Sequence, residues 1–472
     1  MERIATGIPH LDDILHGGLP KNSTTFITGV PGSGKSILAH QIVFNNATPE
    51  HKALIITTIS EPLARLIQFL QEFAFFDVDK IGKAVVYEDL GPQILDHQEE
   101  EAVAAIVELV RRERPAFLII DSFKALHDIS ESPPRLRRAL YRLAATLATL
   151  PCTTLLLGEY GVREFLNSPE ASIPDGIIEL RSKPMGLNDQ RTLRVHKLRG
   201  SAYIPGEHSF RITEEGITVF SRLRPPRRDM MAPVRRERVP TGIRGLDEML
   251  GGGLLQGTTT LLAGDPGVGK TITAWHFILN GARRGEPGVY ISMQEDANQL
   301  RHLGRTFGYD VEALEAQGLV KILYASPVEL DADEHAQHMF EVIREVNARR
   351  VVIDSIRGLE AGTGRPEEYF FNYVYSLTQW LRHYGVTAVL TSEMGRMFGN
   401  DLILTGRGLS HIADALIVIR YVPGQHRIRR ALVVLTMRGG THSTDVREYI
   451  IDSEKGPHLG GTLDGGPPCF PM

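Results

Sequence analysis

The chain has 472 residues, 42 % of them hydrophobic and 23 % charged, with a formal net charge of −5. That length exceeds one ordinary core and fits two or three domains, and no apolar run approaches the roughly 18 residues that a bilayer span needs. The acidic balance argues against general nucleic-acid binding, and two cysteines, Cys152 and Cys469, make neither a disulfide framework nor a zinc site.

The opening, MERIATGIPHLDD, has charges and a proline where a secretion signal would be apolar, so a cytoplasmic location is expected. STTFITG follows, a short β-branched run ending in glycine that reads as a buried strand. It enters GVPGSGKS at residues 29–36, and a helical stretch begins at Ser36. Such a loop aims consecutive backbone N–H groups at an anion, at the positive end of a helix. Gly29, Gly32, Ser33 and Gly34 would line it, Lys35 would reach the β- and γ-phosphates of ATP, and the Ser36 hydroxyl would ligate Mg²⁺.

Further strands follow as ALIITTI, AFLIIDS and TTLLLGE, separated by helical stretches such as AVAAIVELVRRER. Asp121, ending an apolar run, is the acidic residue a magnesium nucleotide site needs; a helix cap is the plainer alternative. Glu61, after the second strand, is the candidate to orient or deprotonate a nucleophile, against the same capping alternative. Then comes SRLRPPRRDMMAPVRRERVP, with seven arginines and four prolines, which reads as an exposed linker over 225–239. Its charge could meet a nucleic acid or an acidic partner, but prolines and like charges already account for it.

The second half repeats the first. TGIRGLDEMLGGGLLQGTTTLLAGDPGVGKTITAWHFILN matches TGIPHLDDILHGGLPKNSTTFITGVPGSGKSILAHQIVFN, and Lys35 and Lys270 are 235 positions apart, as are Thr6 and Thr241. A period this long means duplicated domains rather than a solenoid. Gly264, Gly267, Val268, Gly269, Lys270 and Thr271 form the second phosphate loop, Asp354 in RVVIDS the second metal carboxylate, and Glu295, with Asp296 beside it, the second catalytic candidate. Strand–helix alternation in both halves predicts two mostly parallel sheets flanked by helices, over 1–224 and 240–456. The glycine- and proline-rich segment 457–472 is expected to be a flexible tail.

These features together resemble the KaiC family of tandem RecA-like circadian-clock ATPases and autokinases. The resemblance rests on the two TGI openings, both loops and both IDS strands. It extends to HKLRGSAYIPGEHSFRITEEGITVF, to LSHIADALIVIRYVP and to TMRGGTHSTDVREYIIDSEKGP, and so covers nearly all of residues 1–456. It implies a homohexamer of two stacked rings with ATP between subunits. It also implies that Lys197 and Arg199 in the first lobe, and Arg438 in the second, reach a neighbour's γ-phosphate, as an arginine finger does. A surface role for these cations is the alternative.

Three departures stand against the family pattern. Each lobe keeps one glutamate of an adjacent pair: Ser60 precedes Glu61, and Gln294 precedes Glu295. Thr436 stands where the resemblance places the second lobe's lysine, while His442 keeps a family histidine that Tyr203 replaces in the first lobe. Family members phosphorylate an adjacent serine and threonine; here Ser410 keeps the first position, His411 takes the second, and Thr405 matches a further hydroxyl. The expected function is an ATP-hydrolysing hexamer with serine autokinase activity at Ser410, unless that serine only caps a turn. The alternatives are a nucleotide-gated scaffold with little turnover, or a RadA-like DNA-dependent ATPase. A KaiB-like protein is the implied partner; the segment that engages KaiA is missing, so a KaiA-driven cycle is not expected.

Overall fold

The apolar runs of each half become the centre of a nine-stranded sheet. The computed structural model describes residues 2–58, 62–91, 99–130, 132–161, 171, 173–185, 188–227, 237–363, 367–394, 411–424, 427–452 and 455–463. The chain divides into two compact units, Met1–Arg222 and Leu223–Met472.

In the first unit a two-residue ladder, β1 (Arg3–Ile4) with β2 (Leu19–Pro20), precedes the main sheet. That sheet contains β3 (Thr24–Thr28), β4 (Ala53–Thr57), β5 (Val85–Asp89), β6 (Phe117–Asp121), β7 (Thr153–Gly158), β8 (Gly176–Met185), β9 (Asn188–Leu198), β10 (Glu207–Thr213) and β11 (Gly216–Phe220). Their spatial order is β11-β10-β9-β8-β3-β7-β6-β4-β5. From β5 to β8 the pairing is parallel; β9 to β11 extend the sheet antiparallel.

Side chains alternate between the faces of a strand, so the all-apolar runs feed two cores. Ile27, Ile55 and Ile119 pack with Leu38 and Ile42 of helix α1 (Lys35–Asn46). Phe26, Ile56 and Ile120 pack on the other side with Ile106, Val110, Leu140 and Leu143.

The second unit repeats this plan. Its own short ladder is β12 (Arg238–Val239) with β13 (Leu254–Leu255). Its sheet contains β14 (Thr259–Gly264), β15 (Gly288–Ser292), β16 (Val320–Tyr324), β17 (Arg350–Asp354), β18 (Thr387–Glu393), β19 (Ala415–Pro423), β20 (Ile428–Met437), β21 (Arg447–Asp452) and β22 (Gly456–Thr462). The order β16-β15-β17-β18-β14-β19-β20-β21-β22 mirrors that of the first unit, and helix α2 (Lys270–Arg283) occupies the place of α1. These are two tandem RecA-like domains, as the alternation predicts.

Two expected boundaries move. The chain is anchored on the second unit at Leu223 and Arg224, just before the linker expected over 225–239, and at Arg238 inside it. The Leu223 N–H donates to Asp333 at 3.1 Å, and the Trp380 indole donates to the Arg224 carbonyl at 2.6 Å. At the other end the Arg238 guanidinium satisfies the carbonyls of Leu250 and Gly253, which fixes β12; residues 228–236 lie outside the described residues.

The flexible tail expected over 457–472 is corrected for its described part, because β22 completes the sheet; residues 464–472 lie outside the described residues. It pairs antiparallel with β21, Tyr449 opposite Leu459, and the Leu459 N–H donates to the Arg244 carbonyl at 2.9 Å. Glycine-rich composition conceals a strand here because, of its buried residues Gly456, Pro457 and Leu459, Leu459 alone brings a large aliphatic side chain, at 7 % exposure. Leu459→Ala is therefore expected to destabilise the second unit by about 2–3 kcal/mol. Urea unfolding would read this as an earlier transition for that unit, whereas a residue in an unstructured tail would leave the midpoint unchanged.

Candidate functional site

Each phosphate loop leaves the C-terminal end of the strand at the middle of its sheet and feeds the first turn of α1 or α2. The last loop residues, Gly34 and Gly269, have φ of +99° and +108°. A Cβ there would stand 2.9 Å from Ile212 Cδ1 in the first unit and 2.6 Å from Ile451 Cδ1 in the second, so conformation and space both require glycine. The turn they open leaves the first N–H groups of the helix without intrahelical acceptors and directs the helix dipole at the loop. Gly29, Gly32 and Ser33, and Gly264, Gly267 and Val268, line the two loops as the sequence implies; the Ser33 hydroxyl is buried with no partner among the described residues.

Both loop lysines are buried and turned onto their own loop. Lys35 Nζ donates to the Val30 carbonyl at 3.0 Å. Lys270 Nζ donates to the carbonyls of Gly264 at 3.1 Å and Asp265 at 2.8 Å. Burial lowers the pKa of each ammonium, opposed in Lys35 by Glu159 and then Asp121, and in Lys270 by Glu393 and then Asp354.

The proposed metal ligands meet in pairs. Ser36 Oγ donates to Asp121 Oδ2 at 2.6 Å, and Thr271 Oγ1 donates to Asp354 Oδ2 at 2.7 Å. Neither aspartate caps a helix in these contacts. A hydroxyl and a carboxylate beside a buried ammonium form a hard-oxygen set suited to Mg²⁺ with nucleotide phosphates. The unpartnered Ser33 hydroxyl and the glycine-lined loop fit the same group.

The second site is more elaborately braced than the first. Tyr290 Oη also donates to Asp354 Oδ2, at 2.6 Å, and Thr391 Oγ1 donates to Asp354 Oδ1. Burial, and then Asp354 itself, push the Tyr290 phenol well above its ordinary pKa, so it stays a donor. The first lobe cannot build this brace. Ile55 holds the position 235 residues before Tyr290, and Leu157, opposite Ile27 in the ladder, matches Thr391 opposite Leu262.

Glu61 and Ser410 lie outside the described residues, as do Ser60 and Thr405. In the second lobe the two adjacent acids separate by role. Asp296 caps the helix Ala297–Thr306, accepting from the N–H groups of Asn298 and Gln299, while Gln299 completes a capping box. Glu295 makes no such cap. Its Oε2 is buried without a partner among the described residues, and burial followed by Asp354 raises its pKa above the ordinary 4.5.

Lys197, Arg199 and Arg438 lie at the opposite edge of their sheets from their own loops. Strand β9 ends where β8 begins, with Gly176 opposite Leu198, and Gly176 pairs with Thr25 near the start of β3. The loop leaves the other end of that strand. In the second unit Ala415 pairs with Met437 and with Thr260 in the same way. Arg199 approaches Asp175 at 3.5 Å, and its N–H donates to the Asp175 carbonyl; the Arg438 N–H donates to Asp414 likewise, and its guanidinium to the His411 carbonyl at 3.1 Å. Register equates Lys197 with Thr436: each is the last pair before a β-bulge, Ile177 opposite Lys197 and Leu416 opposite Thr436. Lys197 donates to the Pro174 carbonyl at 2.7 Å.

Four residues of this arrangement belong to no phosphate-loop pattern. Asp175 and Asp414 hold the far edge, each also accepting from the first N–H of the central strand, Thr24 at 3.1 Å and Thr259 at 3.0 Å. Glu159 follows the strand beside its loop and Glu393 ends the matching one, and Glu159 lies 3.9 Å from Lys35 Nζ. Their signal in the sequence is repetition: TTLLLGE and TAVLTSE end alike.

The family model described as ATPase: KaiC matches residues 4–224 and again 239–458. The chain is 30 % identical over 466 residues to the circadian clock oscillator protein KaiC of Picosynechococcus sp., covering 96 % of this chain and 88 % of that protein. It is 29 % identical over 483 residues to the circadian clock oscillator protein KaiC 1 of Synechocystis sp. (97 % and 89 %), and 30 % identical over 481 residues to KaiC of Synechococcus elongatus (97 % and 89 %).

The brace on Asp354 has a measurable weight. Tyr290→Phe removes one buried hydrogen bond to a carboxylate and is expected to cost the second unit about 1–2 kcal/mol. Denaturant unfolding should show this as a lower midpoint for that unit alone; an unchanged midpoint would mean that the Tyr290–Asp354 bond contributes nothing.

Proposed function

The chain belongs to the KaiC ATPase family, and from that premise we propose that it is a Mg²⁺-dependent, ring-forming ATPase whose second lobe phosphorylates its own Ser410. The observation that carries this reading is the repeated pairing of loop hydroxyl with strand-end aspartate, Ser36–Asp121 and Thr271–Asp354, beside a buried lysine.

Within each lobe the loop N–H groups and the lysine would hold the phosphates, and the hydroxyl–aspartate pair would hold the metal. Mg²⁺ bound there supplies charge neutralisation at the β- and γ-oxygens. Glu295, with an unsatisfied buried oxygen, is suited to take a proton from a water or from the Ser410 hydroxyl. Glu61 is assigned the matching role in the first lobe.

Arg199, Lys197 and Arg438 sit a strand's length from their own loops, roughly 17 Å for five residues. That distance supports a role at a neighbouring subunit's nucleotide, and hence a closed ring, with a homohexamer as the assembly proposed. A KaiB-like protein is the partner proposed. The absence of a lysine at Thr436, and the exposed Gln294 beside Glu295, favour slow turnover and keep a nucleotide-gated scaffold as the second reading.

Site-resolved mass spectrometry after incubation with Mg·ATP tests the kinase assignment. One phosphate is expected on the peptide containing Ser410, absent in Ser410→Ala and in Lys270→Ala. ADP release without that phosphate would leave an ATPase alone, and bound nucleotide with neither would support the scaffold.

The raised pKa of Glu295 sets a pH dependence for second-lobe turnover. As pH falls, a carboxylate with a raised pKa takes its proton sooner and ceases to be a base. The acid limb should therefore lie above the ordinary glutamate value of 4.5, and Glu295→Gln should remove the activity across the whole range.

A further inference from the structure

Glu159 and Glu393 have no part in the machinery assigned so far, yet each occupies the same place in its lobe. Glu393 lies directly opposite Gly264 in the parallel ladder of β14 and β18, and Lys270 Nζ is bonded to that same Gly264 carbonyl. In the first lobe Gly158 is opposite Thr28, so Glu159 comes one residue beyond the ladder, 3.9 Å from Lys35 Nζ. A cation stands behind each. Lys124 Nζ donates to the Glu159 carbonyl at 3.1 Å, and Arg357 bonds the Glu393 carboxylate at 3.0 Å. The lobes have diverged at Ile55 and Tyr290, at Leu157 and Thr391, and at Val30 and Asp265, but not at this glutamate.

A buried ammonium needs a counter-charge. Lys35 and Lys270 are 6 % and 8 % exposed, and among the described residues their hydrogen bonds run to backbone carbonyls of the loops, which are neutral. The Glu159 carboxylate stands 3.9 Å from Lys35 Nζ, and Glu393 ends the strand beside the loop that Lys270 is bonded to, so a terminal phosphate held by either lysine would bring a second negative charge to the same place. A γ-phosphate and a glutamate cannot both press on one ammonium without repelling each other. A diphosphate lacks the γ-phosphate and so repels the carboxylate less.

We propose that Glu159 and Glu393 are stand-ins for the γ-phosphate: carboxylates that accompany each loop lysine until a nucleoside triphosphate displaces them, and so bias each lobe toward ADP over ATP. This rests on the reading of both loops as ATP sites. The bias is stronger in the first lobe, where the Glu159 carboxylate faces the loop lysine and Lys124 bonds its backbone carbonyl instead. In the second, Arg357 holds Glu393 and can draw it aside.

The test is calorimetric titration of the full-length chain with ATPγS and with ADP, in Mg²⁺. Glu159→Gln is read in a Lys270→Ala background and Glu393→Gln in a Lys35→Ala background. Removing the charge is expected to tighten ATPγS by about tenfold for Glu159→Gln, and by less for Glu393→Gln, with ADP affected less in each. Glu159→Asp, which keeps the charge on a shorter arm, should fall between wild type and Glu159→Gln.

Equal changes for both nucleotides would overturn the proposal. So would weaker ATPγS binding, which would make the glutamate a positive contributor to the triphosphate site. Unchanged binding with a collapse of single-turnover cleavage would overturn it too, and would make the residue a base. If neither background binds any nucleotide while the unmutated chain also fails to, the loops are not ATP sites, and the failure belongs to that earlier reading.

Discussion

The polarity of the parallel sheet governs the rest of the molecule. Six strands in each unit run the same way, so every strand that ends near the phosphate loop begins at the far edge. The loop, Asp121 and Glu159 all lie at strand C-termini: Gly29 after β3, Asp121 at the end of β6, Glu159 after β7. In open α/β sheets this is the edge where ligands bind, because helix N-termini and chain reversals converge there. The antiparallel extension then returns the chain to the other edge. Lys197, Arg199 and Arg438 arrive there by register, fixed by the bulge that precedes them in each lobe.

Duplication provides an internal comparison. What both lobes keep is what phosphate and metal chemistry demands: a glycine at φ near +100°, a buried lysine, and a hydroxyl on an aspartate. What differs lies one layer back. Asp354 accepts from three hydroxyls, where Ile55 and Leu157 leave Asp121 with the Ser36 contact. Asp265 is wholly buried in the second loop, accepting from the Tyr421 N–H at 2.9 Å, where the first loop has the exposed Val30. Buried polar networks hold one geometry more firmly than isolated pairs do. The two lobes thus present similar first contacts on supports of different stiffness.

Local chemistry made much of this legible in the sequence. Apolar β-branched runs have few alternatives to buried strands, and the loop glycines, lysines and hydroxyls must sit where the turn demands. Residues whose role comes from pairing across the sheet were not legible. Asp175 and Asp414 hold the first N–H of the central strand, more than 150 positions away in sequence, and no local pattern marks them. Leu459 was hidden for the opposite reason: glycine and proline around it describe a loop, and only the open edge of β21 makes it a strand. The run QHMFEVIREVNARR, residues 337–350, likewise reads locally as one helical stretch. The helix stops at Glu345, Asn347 takes φ of +50°, and Arg350 is drawn into β17 by Glu286 at 2.6 Å.

The separation of Glu295 from Asp296 shows how burial sorts residues that composition cannot. Both are carboxylates at the end of the same strand, and both could cap a helix. Asp296 is exposed and spends both its backbone and its side chain on the helix it opens. Glu295 faces inward, close enough to Asp354 for the two charges to oppose each other, with one oxygen left unsatisfied. A group in that state is costly unless a proton, a cation or a substrate hydroxyl completes it. Counted as ions, Lys270, Asp354 and Glu295 leave one negative charge in excess within the lobe, and a Mg²⁺ held at Thr271 and Asp354 is the kind of ion that would offset it.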